Sequence, residues 1–493
     1  MKLSPLSIPY RAGESVVRLA WVLVILVVGS QSISGAAGIG TAVVVWFVVA
    51  LAYQLVYYQR FDYELTDDSL DINSGVVSRR QREIPLRRVQ NVDISRNVIH
   101  RMAGIAQINL ETAGGSSTEA ALRYVDIEEA NRLQSEIGRL KRGESTEAEP
   151  VEHEQVFQIT PKELGLLGIV GIDLRLLSFV TVLLPLVAPS LRDRFADPLV
   201  GLAVTAPLVA GAVIAGTAAI SGLLAVANYY GFTLRRSEDE LLYERGLLQR
   251  FSGTIPMEKV QSLSISENVI ARRLGYASLA VETAGYAPGT SGSQSAVPLA
   301  ERPRVVELAA SIEPFEDVSF ERPPKRARER YAFRYVLIAA AVLGVAYTVD
   351  RFTGFTFAWW AAAGLFVVAP VAAHLKWLNL GYDVQSEYVV LREGFWTRTT
   401  TIVPYYRVQT VLDSQTVFQR RRYLATLVVD TAGSNGFTGG QPRALDIDAA
   451  RADRLREDVG DKLQEAVARR RTERRRERLE AIEASDIEAS PTD

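Results

Sequence analysis

Residues 105–114 read Ile105-Ala106-Gln107-Ile108-Asn109-Leu110-Glu111-Thr112-Ala113-Gly114. Ala106, Ile108 and Leu110 alternate with Gln107, Asn109 and Glu111. A period of two with one apolar face is the pattern of a half-buried strand. The stretch is written twice more. Ala277, Leu279 and Val281 alternate with Ser278, Ala280 and Glu282 before Thr283-Ala284-Gly285, and Ala425, Leu427 and Val429 recur before Thr431-Ala432-Gly433.

Reading outward, the similarity extends upstream without a gap. Gly75 is followed ten residues later by Pro85, five later by Gln90 and 22 later by Thr112. Gly246, Pro256, Gln261 and Thr283 keep that spacing, as do Gly394, Pro404, Gln409 and Thr431. Val89, Val98 and Arg101 return as Val260, Val269 and Arg272, then as Val408, Val417 and Arg420. Repetition on this scale sets the architecture before any residue is given a role. Gly75, Gly246 and Gly394 are predicted to take positive φ in hairpin turns. Pro85, Pro256 and Pro404 lack a ladder donor and should end a strand or lie at an edge. A helical pattern closes each copy: Ala130, Leu133, Ile137 and Leu140 after Asp126, then Val305–Ile312, then Ala450–Val467. Each copy therefore reads as a short antiparallel sheet or open barrel with an amphipathic C-terminal helix.

A long apolar stretch precedes every copy. Hydrophobic residues make up 48% of the chain and charged residues 23%, a mixture that suits membrane spans alternating with water-facing domains. Leu19–Gln59 carries no charge, enough for two spans at about 20 residues each. Leu176–Leu191 with Pro198–Leu234, and Tyr335–Val349 with Phe352–Leu375, read as two further pairs. The expected fold class is an α+β membrane protein with three transmembrane α-helical hairpins, each followed by a small antiparallel β-barrel with a C-terminal helix. The expected order is hairpin 1–60, domain 61–143, linker and hairpin 144–230, domain 231–315, linker and hairpin 316–380, domain 381–467, and basic helix with acidic tail 468–493. Basic residues are few on the short connectors, at Arg192, Arg194 and Arg351, so the positive-inside rule places the repeats and both termini in the cytoplasm of a multi-pass protein of the cell membrane.

Paired apolar helices, the Tyr-rich approach Phe61-Asp62-Tyr63 and the Gly…Ile-Pro…Val-Gln…Thr-Ala-Gly block together resemble the membrane-flanked bacterial PH-domain family in its three-copy, YdbT-like form. The resemblance spans nearly the whole chain. It implies a pleckstrin-homology-like fold in each copy and no known reaction. The third copy departs at Tyr405-Tyr406 and at Asp413, where the others have Ile94 and Ile265.

Chemistry-bearing patterns are sparse. With no cysteine, disulfides, thiolate catalysis and Cys-ligated metals are excluded. His100, His153 and His374 show no metal-ligand spacing, and His100 reads as a surface or rim residue. Gly114-Gly115 and Gly433–Gly440 lack the Lys-Ser/Thr of a phosphate loop. Glu111, Glu282 and Asp430 hold a recurring acidic position, but in separate domains. No catalytic, cofactor or metal residues are assigned. The remaining signal is basic: Arg79, Arg80, Arg82, Arg87 and Arg88 in the first copy, and Arg469, Arg470, Arg471, Arg474, Arg475 and Arg476 near the C-terminus. Juxtamembrane Arg attracts anionic lipid. At a net charge of −2 no nucleic-acid partner is expected. The sequence thus points to a non-enzymatic scaffold or interaction protein, its partners being the bilayer, anionic lipids and other proteins. The alternative is a component of a transport or export system, with Thr41, Gln54, Thr205, Thr217 and Ser221 as its polar residues.

Overall fold

The structure, a computed structural model, describes residues 1–15, 35–112, 120–142, 154–171, 198–237, 240–283, 295–352, 359–432 and 441–488. The first half of the N-terminal apolar stretch, the 176–191 stretch, most of the Lys141–Glu154 joint, the glycines of the Thr-Ala-Gly segments and the last residues lie outside this range.

The first repeat runs α1 (Gly35–Arg60), β1 (Asp62–Leu65), β2 (Ser69–Ser74), β3 (Arg80–Pro85), β4 (Val89–Asn97), α2 (Val98–Met102), β5 (Ile105–Thr112), β6 (Ala120–Asp126) and α3 (Ile127–Arg142). The second runs β7 (Glu154–Gln158), α4 (Pro161–Val170), α5 (Pro198–Tyr229), β8 (Thr233–Arg236), β9 (Glu240–Arg245), β10 (Gln249–Pro256), β11 (Val260–Asn268), α6 (Val269–Leu274), β12 (Tyr276–Thr283), β13 (Ser295–Glu301) and α7 (Arg302–Ile312). The third runs α8 (Lys325–Phe352), α9 (Leu365–Leu378), β14 (Gly381–Val384), β15 (Tyr388–Glu393), β16 (Thr397–Pro404), β17 (Val408–Ser414), α10 (Val417–Arg420), β18 (Leu424–Thr431), β19 (Arg443–Asp448) and α11 (Ala449–Glu488). Two compact units share the chain, with the division falling between Lys259 and Val260, inside the second repeat.

The local expectations hold. Gly75, Gly246 and Gly394 have φ of 109°, 107° and 91°. A Cβ on them would meet the carbonyl oxygens of Ser78, Gln249 and Thr397 at 1.9, 1.9 and 2.0 Å, so the β2–β3 hairpin and its two counterparts need glycine on both counts. Strands β3, β10 and β16 each end at the repeated proline. In the first unit, Tyr63, Leu70 and Ile84 from the three-stranded sheet β1–β3, Ile94, Ile108 and Leu122 from strands β4–β6 of the seven-stranded sheet, and Leu133 and Ile137 from α3 share one core. Fully burying such a side chain contributes about 1.5–3 kcal/mol. In the second unit, Val389, Val403, Tyr405, Leu427 and Val429 pack with Leu455 and Val459 of α11 in the same way.

The repeats join through their sheets. In the first unit β4 pairs antiparallel with β10, Asn97 opposite Gln249 and Arg96 opposite Arg250. In the second unit β11 pairs with β16, Asn268 opposite Thr397 and Glu267 opposite Arg398.

The expected three transmembrane hairpins are corrected. Among the described residues only two helices are long and apolar enough to cross a membrane, Lys325–Phe352 and Trp359–Leu378. They form one pair, not three, and only 6% and 11% of their most apolar windows is buried, unlike the core helices of a soluble protein. Within the described residues charge-free length counted more spans than these two helices, because an uncharged helix can also lie against the domain it leads into. The last turns of α1 do this, with Tyr57 and Tyr58 packed on the first repeat's core. The helix packed on α5 is α4, whose ten residues reach only about 15 Å, half a bilayer core. Gly168 and Gly222 let those two helices touch: a Cβ on Gly222 would lie 2.3 Å from the Gly168 carbonyl oxygen.

Candidate anionic-lipid site

Helix α8 begins as a charged helix and continues as an apolar one. Arg330, Phe333, Arg334 and Leu337 follow the i, i+3, i+4, i+7 spacing that puts residues on one helix face. Opposite them, Phe418, Arg421 and Arg422 lie on and just after α10, which is set by a capping box between Thr416 and Gln419. These seven residues line a cleft of about 380 Å³. Phe333, Leu337 and Phe418 are all more than half exposed, so the cleft opens beside the apolar flank of the membrane helix.

Its charge is unevenly compensated. Arg330 is held by the buried Asp446 at 2.5 Å, and Arg422 by Glu329 at 3.0 Å. Arg334 lies against the rings of Tyr331 and Tyr335, at 5.6 and 5.4 Å from their centroids, without a carboxylate partner among the described residues. The Arg421 side chain has no polar partner among the described residues. Two guanidiniums beside exposed apolar side chains suit an amphiphile with one anionic headgroup, since guanidinium binds phosphate oxygens with charge-assisted hydrogen bonds. The neighbouring collar is tied down as well. Trp377 Nε1 donates to the Pro323 carbonyl at 2.9 Å, and Arg326 pairs with Asp448.

The residues singled out from sequence sit elsewhere. Arg79, Arg80 and Arg82 are exposed on the β2–β3 hairpin and β3. Arg79 and Arg80 line a polar cleft of about 490 Å³ with Arg60, Asp62 and Asn73. Arg87 and Arg88 are exposed on the 3-10 turn Leu86–Arg88. Arg469 pairs with Glu387 at 3.3 Å, and Arg470 stacks 4.0 Å from the Tyr406 ring centroid, so these two fasten α11 to the third repeat. Arg471, Arg475 and Arg476 are exposed further along α11, and Arg474 lies on the same helix. Sequence reasoning missed Arg421 and Arg422, because the run Arg420-Arg421-Arg422 lies well beyond the last apolar stretch and only the fold brings it to α8. Of the polar residues offered for transport, Ser221 donates back to the Thr217 carbonyl of its own helix at 2.8 Å.

His100 is not a rim residue. It is buried at 7% exposure, because residues 7–15 fold as a helix over it. Its ring lies 5.0 Å from that of Tyr10 and 5.5 Å from that of Tyr124. Asn97 Nδ2 donates to the Tyr10 hydroxyl at 3.0 Å, and the Tyr124 hydroxyl donates to Glu14 at 3.0 Å. Arg11 stacks on both Tyr57 and Tyr124. Neither imidazole nitrogen has a hydrogen-bond partner among the described residues. Burial, and then the Arg96 charge, hold the imidazole pKa below its usual value, against a smaller opposing pull from Glu14. The neutral ring therefore stabilises the fold above the unfolded value of about 6.5, and that stability is lost as pH falls through the lower folded value. The wild-type thermal midpoint is expected to drop more between pH 7.5 and 5 than that of His100→Gln, which carries the third copy's residue. Equal drops would mean that His100 does not govern this window.

The comparisons with known proteins bear on the repeats. A family described as bacterial PH domain matches residues 16–141, 179–315 and 333–463. The chain is 25% identical over 421 residues to the UPF0699 transmembrane protein YdbT of Bacillus subtilis (strain 168), covering 79% of this chain and 83% of that protein. It is 26% identical over 145 residues to the UPF0699 transmembrane protein YdbS of the same organism, covering 27% of this chain and 86% of that one. The three family matches together span most of the sequence, one per repeat, and the chain therefore belongs to the bacterial PH domain family.

Proposed function

We propose that this chain is a membrane-anchored binding protein without a reaction of its own, and that its third repeat holds an anionic phospholipid at the foot of the α8 helix pair. The observation that carries this reading is the cleft in which Arg334 and Arg421 lack carboxylate partners among the described residues, beside exposed Phe333, Leu337 and Phe418. Orientation follows from charge. Lys325, Arg326, Arg328, Arg330 and Arg334 crowd one end of α8, while Arg351 stands near the other. The positive-inside rule then puts the third repeat on the cytoplasmic side, facing the leaflet that carries anionic lipid. Domains 61–143, 231–315 and 381–467 serve as the binding modules of a scaffold. The exposed arginines of the first repeat and of α11 add weaker attraction, on the order of 1 kcal/mol each near an anionic surface.

The test uses the full-length chain in nanodiscs of phosphatidylcholine with or without phosphatidylglycerol. Lipids retained after extraction are read by native mass spectrometry. Arg334→Glu with Arg421→Glu removes two favourable charges and adds two unfavourable ones. Retained phosphatidylglycerol should fall about thirtyfold or more, as expected for at least 2 kcal/mol. Undiminished retention in a variant that melts like the wild type would refute the site.

A further inference from the structure

The two internal junctions use the same pair of edges in the same register. Asn97 faces Gln249 in the first and Asn268 faces Thr397 in the second, and these are equivalent repeat positions. In each, the opening strand of one repeat's second sheet mates with the last strand of the next repeat's first sheet. A series of three repeats leaves one copy of each edge over. The outer edge of β3 and the outer edge of β17 pair with no strand among the described residues, while their counterparts β10, β16, β4 and β11 are paired on both sides. Among the described residues the outer edges of β6, β13 and β19 pair with no strand in any repeat, whereas β3 and β17 lack a partner that their counterparts have.

Burial follows pairing. Asp93, Ile94 and Ser95 on β4 are buried, and on β11 Ser262 and Leu263 are fully buried. The equivalent Thr410 and Leu412 of β17 are exposed, Leu412 at 50%, and Val411 is only half-buried. On β3, residues Arg80 to Glu83 are all exposed, where Ile402 at the position of Glu83 is buried on β16. Basic side chains on β3 do not by themselves bar mating. The position of Arg79 is also arginine on the two mated edges, as Arg250 and Arg398.

We propose that β3 of one copy of this chain pairs antiparallel with β17 of a second copy, in the register of the internal junctions. That register sets Arg79 opposite Gln415, Arg80 opposite Ser414, Gln81 opposite Asp413 and Arg82 opposite Leu412. Asp413 then lies diagonal to Arg79, within reach of a long side chain across a ladder. The contact is heterologous, since a surface of the first repeat meets a different surface of the third. Such contacts propagate into a ring or a filament in the membrane plane rather than stopping at a symmetric dimer. Main-chain bonds supply the adhesion, and register supplies the specificity.

The chain has no cysteine, which makes the test clean. Two single-cysteine versions of the full chain, Arg80→Cys and Ser414→Cys, are given different tags and co-expressed, and membranes are oxidised. Facing residues on antiparallel strands lie within disulfide reach. The intramolecular control is Ser266→Cys with Thr399→Cys, the equivalent facing pair in the second junction, whose hydroxyls are 3.2 Å apart. The expected product is a disulfide-linked dimer carrying both tags, several-fold above the product of either variant alone or of Arg80→Cys with the out-of-register Thr410→Cys. No mixed dimer while the control oxidises would overturn the proposal. So would dimers of like with like, or capture of a different protein at either edge.

Discussion

Asp446→Asn is expected to cost the third repeat about 3–5 kcal/mol, the range seen when one partner of a buried ion pair is removed. Asp446 is fully buried at the foot of α8. Its carboxylate accepts from Arg330 at 2.5 Å, from the Tyr331 hydroxyl, and from Gln419 Nε2 at 2.7 Å. Three donors from two elements thus converge on one acceptor, tying the membrane helix to the sheet. Asn keeps the volume. It also tolerates the φ of 56° at this position, a conformation that most residues avoid. The substitution therefore tests charge rather than backbone strain. It turns an acceptor into a donor against three donors and strands the Arg330 guanidinium, whose side chain is only 17% exposed. Thermal melting in detergent and the rate of tryptic cleavage around Arg326 and Arg330 report the outcome. Adding Arg330→Met should recover part of the loss, because the stranded charge goes with it. A loss under about 1 kcal/mol, with unchanged cleavage, would show that the network does not fasten the helix.

Glu267→Ala is expected to loosen the joint between the second repeat's last sheet and the third repeat's first one by a similar amount, about 3–5 kcal/mol. Glu267 is almost fully buried on β11. It accepts from Arg398 on β16 at 3.0 and 2.6 Å and pairs with Arg302 at 3.0 Å. It stands among the guanidiniums of Arg272, Arg302, Arg392 and Arg398. The Arg392 pKa is pulled down to about 10, first by burial and then by Arg398. Arg272 is lowered by the same two causes, with Glu267 opposing the fall. Deleting Glu267 removes that opposition and leaves Arg398 facing like charge. Urea unfolding of the full chain in micelles checks the prediction. The double variant Glu267→Leu with Arg398→Met should be far closer to wild type than Glu267→Ala alone, since exchanging a buried pair for apolar groups is often neutral. Equal stability of Glu267→Ala and wild type would mean that the ladder alone holds this joint. The first junction already runs without the pair: Arg96 stands where Glu267 does, and Arg250 opposite it turns to Glu244 at 2.6 Å.

What the sequence determined was everything set by a few neighbouring residues. Positive φ at Gly75, Gly246 and Gly394, the prolines that end three strands and the terminal helix of each repeat all follow from steric and periodic rules acting within one turn or one strand. So does the repeat itself, and with it the family. The tertiary structure decided the rest. Charge-free length could not separate a lipid-facing helix from a strut such as the end of α1, because the two differ only in what packs on them. His100 had no local mark of burial; the helix at residues 7–15 covers it from the far end of the repeat. The arginine cleft draws on α8 and on the segment after α10, far apart in the chain. Edge pairing joins Asn97 to Gln249 and Asn268 to Thr397, through backbone groups that every residue carries. Side-chain identity encodes which face of a strand is buried. Which strand lies beside it is decided by three-dimensional arrangement, and the two unmated edges became visible only there.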